Sequence, residues 1–366
     1  MSALDRILQS YRSAAVTERE KGTYFERLAK AFFENDPLQQ DQYSQVWTFA
    51  DWANENELDG KDTGIDLVAK LADEDGYAAI QCKFYKPTHR VQKGDIDKFL
   101  SASATKHFVR RVVVDTTEVD WGETAEATIA SQAVPVVRIG LNGLRESAID
   151  WSIFEVSNEV KLQPKKQLRS HQKDALTAVE AGFSEHDRGK LIMACGTGKT
   201  YTALKIAERV AGKGKRVLFL VPSLALISQT VREWTKDADV ELRSYAVCSD
   251  AQVGKRRVSA SDVAEIAAHE LDFPATTNPV RLAERASSAN PERMTVVFST
   301  YQSIPVITAA QKAGLQAFDL IICDEAHRTT GAKIEGEDES NFIRVHDNKY
   351  VNGLKRLNQT GFTGEV

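Results

Sequence analysis

The sequence is poor in cysteine. Its four thiols (Cys82, Cys195, Cys248 and Cys323) lie far apart and never form a CxxC pair. That excludes a disulfide framework or a cysteine-built zinc site, and three of them sit in or beside apolar runs, where a thiol is a small hydrophobe. No stretch of about 18 apolar residues occurs, so no membrane span is expected. The N-terminus, MSALDRILQSYRSAAVTEREKG, also lacks the apolar core of a signal peptide. A cytoplasmic chain without membrane contact is the expectation. Nor is there a basic excess. The net charge of −5 does not mark a nucleic-acid binder, although a local basic groove can sit on an acidic protein. Internal repeats and low-complexity tracts are missing as well, which sets aside a repeat array.

What is present is a globular composition, 42% hydrophobic and 27% charged, in a length that suits two domains. Residues 18–34 have helical spacing, with Tyr24, Phe25, Leu28, Ala31 and Phe32 on one face, and Asn35-Asp36-Pro37 ends that helix. Strand-like segments follow at 45–50, 64–71 and 77–85, the last two joined by the turn Ala72-Asp73-Glu74-Asp75-Gly76. Then come a helix at 95–106, a strand at 109–114, a helix at 122–132 and a strand at 134–139. This alternation predicts a small α/β domain over 1–155, closing near Trp151. Residues 156–167 are polar, contain Pro164 and have no apolar period, so they read as a linker.

From 168 to 366 the α/β units are longer: helix 170–181, strand 190–194, helix 200–211, strand 216–221, helix 224–236, and strands 294–299 and 320–323. Buried Val/Ile/Leu strands alternating with helices predict a parallel, doubly wound sheet. The polar, Ala-rich stretch 250–292 reads as a surface insertion.

Strand Leu191-Ile192-Met193 runs into Ala194-Cys195-Gly196-Thr197-Gly198-Lys199-Thr200. Such glycines let backbone N–H groups wrap a phosphate at the positive end of the following helix. Gly196, Thr197, Gly198, Lys199 and Thr200 are therefore candidates for ATP binding, Lys199 reaching the β- and γ-phosphates and Thr200 ligating Mg²⁺. A glycine of the general pattern is replaced by Met193. The second motif is Leu320-Ile321-Ile322-Cys323-Asp324-Glu325-Ala326-His327-Arg328. It delivers two carboxylates at a strand's carboxyl end: Asp324 to hold Mg²⁺ and Glu325 to orient or deprotonate the attacking water.

Together with Leu168-Arg169-Ser170-His171-Gln172, these residues resemble the superfamily 2 helicases and translocases, in particular the motor subunits of type I and type III restriction enzymes. The resemblance implies a RecA-like domain, adenine recognition by Gln172, and DNA-backbone contacts at Val221-Pro222-Ser223 and at Ser299-Thr300-Tyr301-Gln302-Ser303. Two features depart from that family. The tail RLNQTGFTGEV lacks the Ser/Thr-Ala-Thr motif, and the second RecA-like domain with its arginine finger is absent. The expectation is a fragment or truncated product that binds ATP better than it turns it over.

The N-terminal domain carries Gly64-Ile65-Asp66 and Gln81-Cys82-Lys83 on the two strands of the expected hairpin. Period two puts Gln81 and Lys83 on one face and turns Cys82 away. A carboxylate, an amide oxygen and an ammonium side by side can hold a hard metal and a scissile phosphate while water attacks. Equally, D…QxK on a hairpin is often only a solvated polar face. Glu26, on the first helix, is placed to add a carboxylate. The set resembles the Mrr-like PD-(D/E)xK nucleases, in which glutamine replaces the second acid. Ala148-Ile149-Asp150-Trp151 is similar to the way those domains end. The resemblance implies that Glu26, Asp66, Gln81 and Lys83 are catalytic, with Asp66 and Gln81 on the metal.

Lys86, His89, Arg90 and Lys93 follow the site, either to hold DNA phosphates or as a solvated loop. Lys61 and Asp62 read as ordinary loop residues. His107, His186, His269 and His346 are isolated and suit structural or surface roles. As a whole the chain resembles the N-terminal part of a type ISP restriction-modification enzyme. That implies a restriction-endonuclease-like α/β domain followed by one RecA-like domain, acting with ATP and Mg²⁺ on double-stranded DNA. Longer relatives would add methyltransferase and target-recognition domains. The alternative is an ATP-gated DNA-binding module, or a helicase, that does not cut.

Overall fold

The computed structural model describes residues 1–14, 17–60, 64–248, 271, 273–288, 290–325 and 344–362. Lys61, Asp62, His269, Ala326, His327, Arg328, most of the 250–292 stretch and the last four residues of the tail lie outside them. The chain divides between Pro164 and Lys165 into two compact units, and residues 271, 273 and 274 group with the first.

The first unit runs α1 (Ala3–Ala14), α2 (Glu18–Asn35), α3 (Pro37–Gln42), β1 (Tyr43–Thr48), α4 (Phe49–Glu55), β2 (Leu67–Leu71), β3 (Tyr77–Lys83), α5 (Lys93–Ala102), β4 (Phe108–Asp115), α6 (Glu123–Ala130), β5 (Val136–Ile139), α7 (Leu141–Arg145) and α8 (Trp151–Ser157). Its five strands lie in chain order; β1–β2 and β2–β3 are antiparallel, and β3–β4 and β4–β5 parallel. Strand alternation divides the side chains between two cores. Ala78 and Ile80 pack with Phe25, Leu28 and Phe32 of α2, whereas Ala79 packs with Phe99 of α5 and Ile129 of α6. Helices therefore cover both faces of the sheet.

Local chemistry explains where these elements begin and end. A capping box of Thr17 and Glu20 opens α2, and Asp36 closes it and caps α3, with Pro37 at the first turn. The strand expected from Gly64 starts only at Leu67, because Gly64 is left-handed at φ +93°. The strand expected to reach residue 50 ends at Thr48, whose hydroxyl caps α4 by accepting from the Asp51 N–H at 3.2 Å. The polar segment 156–167 is only partly a linker. Val156 and Ser157 finish α8, and the Lys161 carbonyl and Gln163 N–H bond back to Asp150 and Ala148, each at 2.7 Å. Backbone groups need partners whatever the side chains are, which apolar periodicity does not report.

The second unit runs α9 (Ser170–Glu185), β6 (Arg188–Ala194), α10 (Lys199–Val210), β7 (Arg216–Val221), α11 (Leu224–Asp237), β8 (Leu242–Val247), β9 (Ala275–Thr276), α12 (Pro279–Ser287), β10 (Met294–Thr300), α13 (Ile304–Lys312), β11 (Phe318–Cys323) and β12 (Gly353–Phe362). The seven strands are ordered β6-β12-β11-β7-β10-β8-β9 and every pairing is parallel. The end of the supposed surface insertion is in fact structural: α12 buries Leu282, Ala283 and Ala286. Strands β8 and β12 escape a hydrophobicity reading because they carry buried polar residues: Arg243 and Ser244, and Arg356 and Gln359. Strand β12 matters most for position. It lies between β6 and β11, the strands that lead into the two candidate ATP motifs.

The buried Asp36 carboxylate accepts from the Leu38 N–H at 3.1 Å and from the Ala148 N–H, 112 residues away, at 2.9 Å. Asp36→Ala would leave both donors without this partner, at a cost of about 2–4 kcal/mol. Urea unfolding followed by tryptophan fluorescence should show an earlier transition; an unchanged midpoint would make the carboxylate dispensable.

Candidate active sites

In the second unit, β6 ends in the loop that precedes α10. Gly196 and Gly198 are left-handed at φ +74° and +84°. A Cβ at Gly198 would also come within 2.6 Å of the Gln172 amide nitrogen, so this position needs glycine twice over. Around Gly196 no described residue lies within 4 Å of where a Cβ would be, which leaves room for a phosphate. Lys199, at the first turn of α10, pairs with Glu325 at 3.3 Å. Thr200 is half-buried, and its carbonyl accepts from the Trp234 indole at 3.0 Å.

Gln172 is 4% exposed. Its Nε2 donates to the Thr197 carbonyl at 3.0 Å and its Oε1 accepts from the Arg169 N–H at 2.9 Å. Here the amide braces the phosphate loop instead of lying open to a base. The His171 ring contacts the same Thr197 carbonyl at 3.2 Å.

Asp324 is buried just beyond β11. Its N–H donates to the Leu220 carbonyl at 2.8 Å, and its own carbonyl accepts the Tyr301 hydroxyl at 2.7 Å. Oδ1 accepts from Gln359 Nε2 at 2.9 Å. Burial pushes this carboxyl above its ordinary value and Glu325 adds to the rise, while the Gln359 hydrogen bond and the Lys199 charge oppose it. Glu325 is left-handed at φ +51°.

The motif at 299–303 is more internal than the resemblance implies, whereas Pro222 and Ser223 are half-buried. Ser299, Thr300, Tyr301 and Ser303 are buried, and the Thr300 and Ser303 hydroxyls bond each other at 2.8 Å. Ser223 caps α11 through the Leu226 N–H at 3.4 Å.

In the first unit, Asp66, Gln81 and Lys83 come together at the β2–β3 end. Asp66 Oδ2 accepts the Cys82 N–H at 2.6 Å, while the Asp66 N–H donates to the Ile80 carbonyl at 3.0 Å. Gln81 is 5% exposed. Its Nε2 donates to the Gly64 carbonyl at 2.9 Å, and its Oε1 is buried without a hydrogen-bond partner among the described residues. Burial, together with the Lys98 charge, draws the Lys83 ammonium below its ordinary pKa against the pull of Asp66 and Asp95.

Cys82 takes the opposite face, packed on the α2 core. Burial, Asp66 and Glu26 raise its thiol well above the ordinary value. Glu26 thus approaches from the α2 side, next to Cys82. Among the described residues no three His, Cys, Asp or Glu side chains form a metal cage, so a cation here would draw on the Gln81 amide oxygen as well as carboxylates.

Sequence reasoning missed three residues at these sites. The Lys98 stem lies over Gly64, its Cγ 3.1 Å from where a Cβ would be; spacing along α5 was the only signal. Asp95 accepts the Tyr85 hydroxyl at 3.0 Å and stands 3.4 Å from His89, whose ring lies tilted against Tyr85 with centroids 4.1 Å apart. Lys86, Arg90 and Lys93 are exposed. Gln359 belongs to a tail whose sequence matches no expected motif.

Residues 165–364 match the family model of the type III restriction enzyme res subunit, more than half of the chain. The chain belongs to this family. Residues 34–161 match a restriction endonuclease model. A solved structure titled ATP-dependent Type ISP restriction-modification enzyme LlaBIII bound to DNA superposes with a TM-score of 0.81 at 37% identity, covering 96% of this chain and 22% of that one. A nuclease-deletion mutant of the Type ISP enzyme LlaGI, in complex with a DNA substrate mimic, is 43% identical over 54% of this chain and 18% of its own, with a TM-score of 0.43. No curated protein matches. The chain is thus a restriction endonuclease domain followed by a helicase-like domain, homologous to type ISP enzymes, and it spans about a fifth of their length. No helix among the described residues is long and apolar enough to cross a membrane.

At Gly361 in β12, an added Cβ would collide with Lys199 Nζ and lie 3.0 Å from Cys195 Sγ. Gly361→Ala should leave the fold intact, because the flexible lysine end can yield, but displace the ammonium from the phosphate loop. Nucleotide affinity should fall about tenfold, roughly 1.4 kcal/mol. Unchanged affinity in a fluorescent-nucleotide titration would rule out this placement.

Proposed function

We propose that the helicase-like unit binds and hydrolyses ATP with Mg²⁺, and that the endonuclease unit cleaves double-stranded DNA with a divalent metal. The observation that carries the first half is the Lys199–Glu325 pair at 3.3 Å, beside the buried Asp324 at the carboxyl edge of a parallel sheet. A triphosphate entering the loop offers Lys199 a denser anion and releases Glu325 to orient the water that attacks the γ-phosphorus. Thr200 and Asp324 would hold the cation. The match to the res subunit family supports turnover coupled to movement along DNA as part of this reading.

For the nuclease half, the buried, unpartnered Gln81 Oε1 is the supporting feature, since a hard cation is the partner such an oxygen suits. Asp66 and Gln81 would hold that cation, which supplies Lewis-acid charge to the phosphate and a more acidic water. Lys83 is placed to stabilise charge building on the phosphate oxygens as water attacks phosphorus and the P–O bond breaks. Glu26 adds a carboxylate from α2. The longer relatives' methylation and target recognition would be supplied by other domains.

Lys199→Ala should abolish nucleotide binding while the first unit keeps its fold; equal affinity of mutant and parent for a fluorescent ATP analogue would sink the ATP assignment. Asp66→Ala should abolish Mg²⁺- or Mn²⁺-dependent plasmid nicking. Lys83→Ala should slow it by about 10²–10³-fold. Gln81→Glu should retain cleavage, because it restores an acidic ligand, and Cys82→Ala should be nearly silent. If Asp66→Ala and Lys83→Ala nick like the parent, the chain is instead an ATP-gated DNA-binding module.

A further inference from the structure

Gln359 is fully buried in β12, where the Cys323–Asn358 pairing sets it directly beside Asp324. Its Nε2 donates to Asp324 Oδ1 at 2.9 Å, while its Oε1, also shut off from solvent, has no hydrogen-bond partner among the described residues. An amide buried with only its nitrogen satisfied is costly unless something else occupies the oxygen. The surroundings say what that would be. The oxygen can only accept, and it lies on a side chain bonded to the carboxylate that would hold Mg²⁺. A water bound to a divalent cation is acidified and is a strong hydrogen-bond donor. Neither composition nor motif spacing singles this glutamine out, since it sits in the tail that departs from the Ser/Thr-Ala-Thr pattern.

We propose that Gln359 is a positioning residue for the magnesium–nucleotide complex: Nε2 fixes the orientation of the Asp324 carboxylate and Oε1 accepts from a water carried by the cation. One amide thereby sets both the ligand and the hydration shell. This rests on the ATP-binding reading of the same site. It predicts that the glutamine matters to the magnesium-dependent part of nucleotide affinity and not to the contacts that the phosphate loop makes alone.

The test is titration of the purified chain with a fluorescent ADP analogue, once in EDTA and once across a MgCl₂ series. In Gln359→Met, which keeps the length but loses donor and acceptor, the Mg²⁺ concentration for half-maximal enhancement should rise about tenfold, the size expected for lost bonds to charged groups. Affinity in EDTA should stay within about twofold of the parent. Equal losses with and without Mg²⁺ would mean that the residue only supports the fold. An unchanged Mg²⁺ dependence would overturn the inference directly. Should thermal melting show that Gln359→Met does not fold, Gln359→Asn, too short to span both partners, is expected to show the same magnesium-specific loss, and its absence there overturns the inference equally. No nucleotide binding by the parent would instead overturn the ATP reading on which the inference stands.

Discussion

The insertion of β12 between β6 and β11 is the constraint on which the nucleotide site depends. Neighbouring strands lie about 4.8 Å apart, so one intervening strand separates the phosphate loop from Asp324 and Glu325 by a distance that a lysine side chain can span. Lys199 does span it to reach Glu325, passing the backbone at Gly361, where even a methyl group would be in its way. Strand β12 also outruns β11: its register continues from Cys323–Asn358 to the Phe362–Ala194 pair. Its last residues therefore wall the site. Shortening or slipping this strand would separate the phosphate loop from Asp324 and Glu325.

Both sites use a glutamine in a similar way. In each, a buried amide lies close to an aspartate, its nitrogen bonded and its oxygen without a partner among the described residues: Gln81 near Asp66 and Gln359 against Asp324. Burying a neutral amide costs less than burying a second carboxylate, whose charge would also repel the first. The arrangement leaves an acceptor oxygen free while limiting the repulsion between neighbouring acids that the folded chain must bear. Asp324 is already pushed up by burial and by Glu325, and a third acid in place of Gln359 would push it further.

Around the endonuclease site the governing device is strand alternation on a sheet covered on both faces. One face of β3 sends Gln81 and Lys83 towards α5; the other sends Cys82 to the α2 core. Because α5 supplies Lys98 and Asp95, one helix brings both a cation and an anion to bear on Lys83. The left-handed turn at Gly64 lets the Lys98 stem lie against the backbone that precedes Asp66.

Much of this was legible in the sequence. Periodicity located α2 and α11, which bury one apolar stripe, and short apolar runs bounded by turn residues located β2, β3 and β7, which are buried on both faces. The phosphate loop and Asp324-Glu325 were legible since their chemistry depends on short contiguous stretches. What stayed hidden depends on partners distant in the chain. Strand β12 reads as polar because Arg356 and the Gln359 nitrogen find their partners at Val345, Val351 and Asp324, across the fold. The polar linker pairs its backbone with residues near Asp150, and Gln172 is spent on Thr197. The sequence by itself determined which motifs exist and which faces are apolar, because those follow from local pattern. Only the tertiary structure decided that β12 separates the two ATP motifs and that Gln359 faces Asp324, because register between parallel strands is set by long-range packing that no local pattern records.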